Sequence, residues 1–105
     1  DAATAVSGSG PAYIFLVAEA MMDAAVGLGV PRAQASELVI GTLSGSAELL
    51  RQGQHPAALR NQVTSPGGTT AAALDELEAH GLRTAFFRAM HACCDKARSM
   101  GDRFE

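Results

Sequence analysis

Residues 12–30 read AYIFLVAEAMMDAAVGLGV. No glycine or proline interrupts them until the glycines at the end, so they read as a helix of about five turns. A surface helix shows one apolar stripe, but this one is apolar on nearly every side, broken only by Glu19 and Asp23. Such a helix must be covered all round. Two or three neighbouring helices from one chain of 105 residues could hardly cover it. The economical cover is a second copy of the same chain, joined through a large apolar interface. The acids and the glycine at 27 argue against reading the stretch as a membrane span.

The remainder of the sequence agrees with an all-α fold. Apolar residues make up 48% of the chain, enough for a packed core rather than disorder. They are mostly Ala, Leu, Val and Met, which favour helices over sheet. The net charge is −3, with no basic cluster and no aromatic residues interleaved with basic ones. That composition excludes nucleic acid as the expected partner. The opening residues carry no signal-peptide pattern, so the expected compartment is the cytoplasm.

Turn signals divide the chain into about five helices and no strand. VSGSGPAY (6–13) closes an irregular start, with Ser9 or Gly10 as cap and Pro11 in the first turn. Gly27, Gly29 and Pro31 end the first long helix. A second begins at Pro31, with Ala35, Leu38, Val39, Thr42, Leu43, Ala47 and Leu50 predicted to form one buried stripe. Gly41 and Gly45 lie four apart on it and form a shallow groove, open either to another backbone or simply tolerated. Gly53 stops this helix, and Pro56 starts a short one behind His55, read as a capping or surface residue. A fourth helix ends at Gly81. The last carries Leu82, Phe86, Met90, Cys93 and Ala97 on one face, is expected to stop at Gly101, and leaves a frayed tail, DRFE.

Few motifs carry chemistry. GSGPAY (8–13) is not a dinucleotide fingerprint: no strand precedes it and the third glycine is missing. Cys93 and Cys94 are neighbours whose side chains diverge on a helix, so they are read as small buried hydrophobes rather than a disulfide. A metal site from His91, Cys93 and Cys94 would bunch its ligands in four residues with no second cluster. SPGGTT (65–70) is the stronger candidate. Two glycines allow backbone conformations closed to other residues, and the threonines fall at a helix start. The unpaired N–H groups of a first turn bind anions. The stretch is therefore either a capping turn with Thr69 as the cap or an anion-binding loop.

Two segments resemble a known family. SGSGPAYIFLVAEAMMDAAVGLGVP (7–31) and GQHPAALRNQVTSPGGTTAAALDELE (53–78), at this separation, are similar to the C-terminal dimerisation domain of pyrroline-5-carboxylate reductase. The resemblance covers essentially the whole chain. It implies a helical domain of about five helices, residues 1–105, interlocked with a second copy as a homodimer. It also implies an N-terminal Rossmann domain that this sequence lacks. The implied reaction reduces pyrroline-5-carboxylate to L-proline with NADPH or NADH, the last step of proline biosynthesis. The cofactor would belong to the missing domain, and this chain alone would bind none and turn over nothing.

The substrate loop of the family matches Ser65, Pro66, Gly67, Gly68, Thr69 and Thr70. By resemblance, the glycine-rich backbone would hold the substrate carboxylate, and Thr70 would bond the ring nitrogen as the catalytic contact. Some relatives carry an acid where this chain has Gly53, so no acid role is carried over there. A helical homodimerisation module without any ligand is the competing reading. No metal, nucleic acid or membrane enters the expected partners.

Overall fold

The computed structural model describes the backbone of residues 1–104 and the side chains of residues 1–101; Glu105 lies outside them. Five α-helices are present among the described residues: α1 (Gly10–Gly27), α2 (Arg32–Arg51), α3 (Pro56–Gln62), α4 (Thr69–Ala79) and α5 (Leu82–Phe104). None of the described residues is in a strand. The chain divides into two compact units, residues 1–14 with 72–105, and residues 15–71.

In the first unit the start of the chain is not irregular, as the run of Ser and Gly suggested. Thr4–Gly8 form a π-helical turn, closed by the Ser9 N–H on the Thr4 carbonyl at 2.9 Å. The turn packs against α5. Ala5 is its buried residue, and the Tyr13 hydroxyl donates to the Ala5 carbonyl at 2.9 Å. The small side chains of this segment let the wide turn approach α5 closely, which sequence periodicity does not register. Phe86, Met90, Cys93 and Ala97 are half-buried on α5 as the spacing predicts, whereas Leu82 is exposed. Gly101 does not stop α5, which runs through it to Phe104. One glycine costs a helix about 1 kcal/mol relative to alanine, too little to end a helix of this length. The expected fraying of DRFE therefore fails for the backbone of residues 102–104, and Glu105 is not described.

In the second unit the helix ends follow their glycines. Gly29 has φ +100°. The Gly29 N–H reaches the Val26 carbonyl and the Val30 N–H reaches Ala25, both at 3.0 Å, so the last carbonyls of α1 are satisfied. Gly53, with φ +95°, closes α2 in the same left-handed conformation. The carbonyl of Pro31 accepts the Ala35 N–H at 2.9 Å, which places Pro31 just outside α2. His55 caps α3: its Nδ1 accepts the Ala57 N–H at 3.0 Å. Arg32 pairs with Asp23 at 2.8 Å across the turn between α1 and α2. This exposed pair helps fix the turn but contributes only about 0–1 kcal/mol.

The buried stripe predicted for α2 is realised only near its start. Ala35 and Val39 are buried and Leu43 half-buried, but Leu38, Thr42, Ala47 and Leu50 are exposed. The periodicity is sound; its cover does not come from this chain. Gly41 and Gly45 also meet no neighbour, since a Cβ added at either finds nothing within 4 Å.

The same deficit dominates α1, which has no buried residue. Phe15 is 70% exposed and Leu16 65%. By length and composition Thr4–Gly27 is also apolar enough to cross a membrane, with a mean hydropathy of 1.2. If a second copy covers it, folding and association are coupled. The thermal unfolding midpoint should then rise by several degrees across a hundredfold increase in protein concentration. A midpoint that stays constant in a calorimetric dilution series would contradict the coupling.

Candidate functional site

Ser65, Pro66, Gly67 and Gly68 form a tight turn. The Gly68 N–H donates to the Ser65 carbonyl at 3.0 Å, and Gly67 has φ +70°. Proline at the second position and a left-handed glycine at the third are the residues that a type II turn demands. Gly68 is confined for another reason: a Cβ there would meet the Ser65 carbonyl oxygen at 3.2 Å and the Ser65 Cβ at 3.4 Å. The entry to the turn is fixed by Thr64, whose Oγ1 donates to the Arg60 carbonyl at 2.6 Å and so ends α3. Sequence reasoning missed Thr64, although a hydroxyl four residues beyond a helical carbonyl is a readable signal.

Helix α4 starts at Thr69. The capping position therefore falls on Gly68, which has no side chain to cap with, and not on Thr69. Turn closure consumes the N–H of Gly68. The first-turn N–H groups of Thr69, Thr70 and Ala71 have no partner in the turns and caps among the described residues. They lie at the positive end of the helix dipole, where an anion is favoured by about 0.3–1 kcal/mol even at an exposed site. Thr69 is exposed and Thr70 half-buried. All six residues of the predicted loop thus lie together at one helix entrance, with Gly67 and Gly68 shaping the backbone rather than both offering donors.

The groups considered for a metal take separate partners. His91 lies against Phe87, ring centroids 4.3 Å apart. The Cys94 sulfur accepts from Arg98 at 3.6 Å, and the Cys93 thiol donates to Ser9 Oγ at 3.2 Å. Both cysteines are free. Ser9, Tyr13 and Cys93 make a polar cluster that the sequence did not announce, beside an edge-on contact of Tyr13 with Phe86 (6.4 Å, 72°). Hydrogen bonds from Ser9 and then Tyr13 favour the Cys93 thiolate and lower its pKa, against the opposing effect of desolvation. The Tyr13 phenol is raised, chiefly by its bond to Cys93 and by burial. The glycines of GSGPAY lead from the π-helical turn straight into α1. Among the described residues no strand precedes those glycines, which differs from the strand–turn–helix arrangement of a dinucleotide fingerprint.

The family described as pyrroline-5-carboxylate reductase dimerisation matches residues 1–100, and the chain belongs to that family. The pyrroline-5-carboxylate reductase of Corynebacterium melassecola is 50% identical over 96% of this chain and 38% of its own length. The Escherichia coli reductase is 49% identical over 90% of the chain and 36% of its length. Among solved structures, the Plasmodium falciparum pyrroline carboxylate reductase with NADP bound superposes with a TM-score of 0.92 at 39% identity, covering 96% of this chain and 39% of that one. The chain therefore spans about two-fifths of the length of these relatives.

Two outcomes check this geometry. Gly67→Ala should destabilise the fold by about 1–2 kcal/mol in chemical denaturation, because alanine is strained at φ +70°; an unchanged midpoint would contradict the turn assignment. Alkylation of Cys93 should begin at lower pH than for an ordinary cysteine. Because Ser9 stabilises the thiolate, Ser9→Ala should move that profile to higher pH. Superimposable profiles would remove Ser9 as the cause.

Proposed function

We propose that this chain is the dimerisation and substrate-binding domain of an enzyme that reduces pyrroline-5-carboxylate to L-proline with NADPH or NADH in the cytoplasm. The observation that carries the reading is the Ser65–Gly68 turn. In a chain of this family, it leaves the first-turn N–H groups of α4 without a partner in the turns and caps among the described residues. The substrate is a small carboxylate, and such N–H groups suit an anion. Thr69 and Ala71 would contribute N–H groups to that carboxylate, and the Thr70 hydroxyl would bond the ring nitrogen. Ser65, Pro66, Gly67 and Gly68 would hold the backbone in place. Catalysis would come chiefly from orientation, by holding the imine carbon where a hydride donor can reach it. The nicotinamide cofactor is assigned to the remaining part of the longer enzyme, which is also why this chain alone is expected to be inactive.

The proposed partner is a second copy of the chain. It would cover α1 and the exposed part of α2, both left open by the chain itself. A bilayer is the weaker cover for Thr4–Gly27. Asp23, within that stretch, is engaged with Arg32 at 2.8 Å, and charged groups are costly at membrane depth.

The competing reading, a dimerisation module with no ligand, is separated by Thr70→Ala in the full-length enzyme. Loss of a hydrogen bond to a charged group is worth about 1.5–3 kcal/mol. The expected fall in kcat/KM is therefore roughly 10- to 100-fold, with the dimer intact. Unchanged turnover would favour the ligand-free module.

A further inference from the structure

Helix α3 is seven residues long, too short to hold its shape alone in water. Both of its ends are tied. At the front His55 caps it, Nδ1 accepting the Ala57 N–H at 3.0 Å. Gln62 Nε2 donates to Gln54 Oε1 at 3.3 Å, which joins the last residue of the helix to the segment before it. At the back the Asn61 carbonyl accepts the Thr64 N–H at 3.2 Å, and the Arg60 carbonyl accepts the Val63 N–H at 3.3 Å. The Arg60 carbonyl also accepts the Thr64 hydroxyl at 2.6 Å. Thr64 is thus bound to α3 through backbone and side chain together, and the Ser65–Gly68 turn begins at the next residue.

Packing does not hold this junction. Val63 is 69% exposed, and Ser65 and Pro66 are exposed as well. The bond from Gly68 to Ser65 closes the turn on itself. It fixes the shape of the turn but not its place relative to α3. The hydrogen bonds of Thr64 supply that place.

We propose that Thr64 is a positioning residue for the substrate: its hydroxyl, held on the Arg60 carbonyl, sets where the loop presents the Thr70 hydroxyl and the first-turn N–H groups of α4. The inference rests on the substrate-binding reading of residues 65–70 and adds a residue outside them. Thr64 touches no substrate and acts through the backbone that follows it. A reaction driven by orientation is sensitive to such a hinge, since a misplacement of about 1 Å can cost about a hundredfold in rate. A shift at residue 64 displaces the carboxylate donors and the Thr70 hydroxyl together.

Thr64→Val keeps the branched shape and removes the hydroxyl. In the full-length enzyme, KM for pyrroline-5-carboxylate should rise and kcat/KM fall by about tenfold, while KM for the nicotinamide cofactor stays unchanged. Thr64→Ser keeps the hydroxyl and should restore the wild-type constants. Thr64→Ala removes the same bond and gives the same readout if the valine variant does not fold. Thr64→Val combined with Thr70→Ala should lose less than the product of the two single losses, because both act on one set of contacts. A residue that only ends α3 would lower the unfolding midpoint and leave KM for the imine alone. Wild-type constants in a folded Thr64→Val enzyme, a Thr64→Ser enzyme as impaired as the valine variant, or losses that multiply in the double variant would each overturn the positioning role. Turnover that survives Thr70→Ala unchanged would overturn the substrate-binding reading and the positioning role with it. Turnover lost in Thr70→Ala but kept in Thr64→Val would overturn the positioning role alone.

Discussion

The first long helix is apolar on nearly every side, and its own chain fully buries none of its residues. The other features of the domain follow from that imbalance. Among the described residues, Ala5, Ala35 and Val39 are the only buried apolar ones. Burial is worth about 25 cal/mol per Å² of apolar surface, so three small side chains cannot offset the entropy of ordering a chain this long. The local devices are nevertheless complete. Glycines in left-handed conformation close the helices, His55 caps α3, and Thr64 ends it. Local order without a matching core is what a domain shows when its core is completed by another chain.

Much of this was legible in the sequence, because the signals were local. Gly29, Gly53 and Gly81 marked three helix ends, and each adopts positive φ. Pro56 behind His55 marked the start of α3. The uniform apolarity of residues 12–30 stated the need for external cover. The failures came where local signals compete with context. Periodicity identifies which side of α2 is apolar but not what covers it, so Leu38, Thr42, Ala47 and Leu50 carry the spacing of a buried stripe yet are exposed within this chain. Gly101 carried the same stop signal as the other glycines, yet it lies within α5 because neighbouring residues sustain the helix. The π-helical turn at Thr4–Gly8 leaves no periodic mark at all.

The loop at 65–70 was legible in composition and only partly in geometry. Proline followed by two glycines implied an unusual backbone, and Gly67 adopts it. The division of labour between the glycines is set by the fold of the turn and not by composition. One supplies a left-handed dihedral angle, and the other gives up its Cβ so that the turn can close on Ser65. Closure takes the N–H of Gly68, so the donors left without a turn partner are those of the first turn of α4. The exposed helices and this loop belong to one design principle: each presents groups that this chain alone does not satisfy.

The measurement that tests the central claim most directly is the solution mass of the chain by light scattering across a dilution series. The account predicts a persistent species of twice 10.8 kDa that loses helix content as it dissociates. A well-folded species at the monomer mass across the whole series would mean that the apolar first helix needs no partner, and would contradict it.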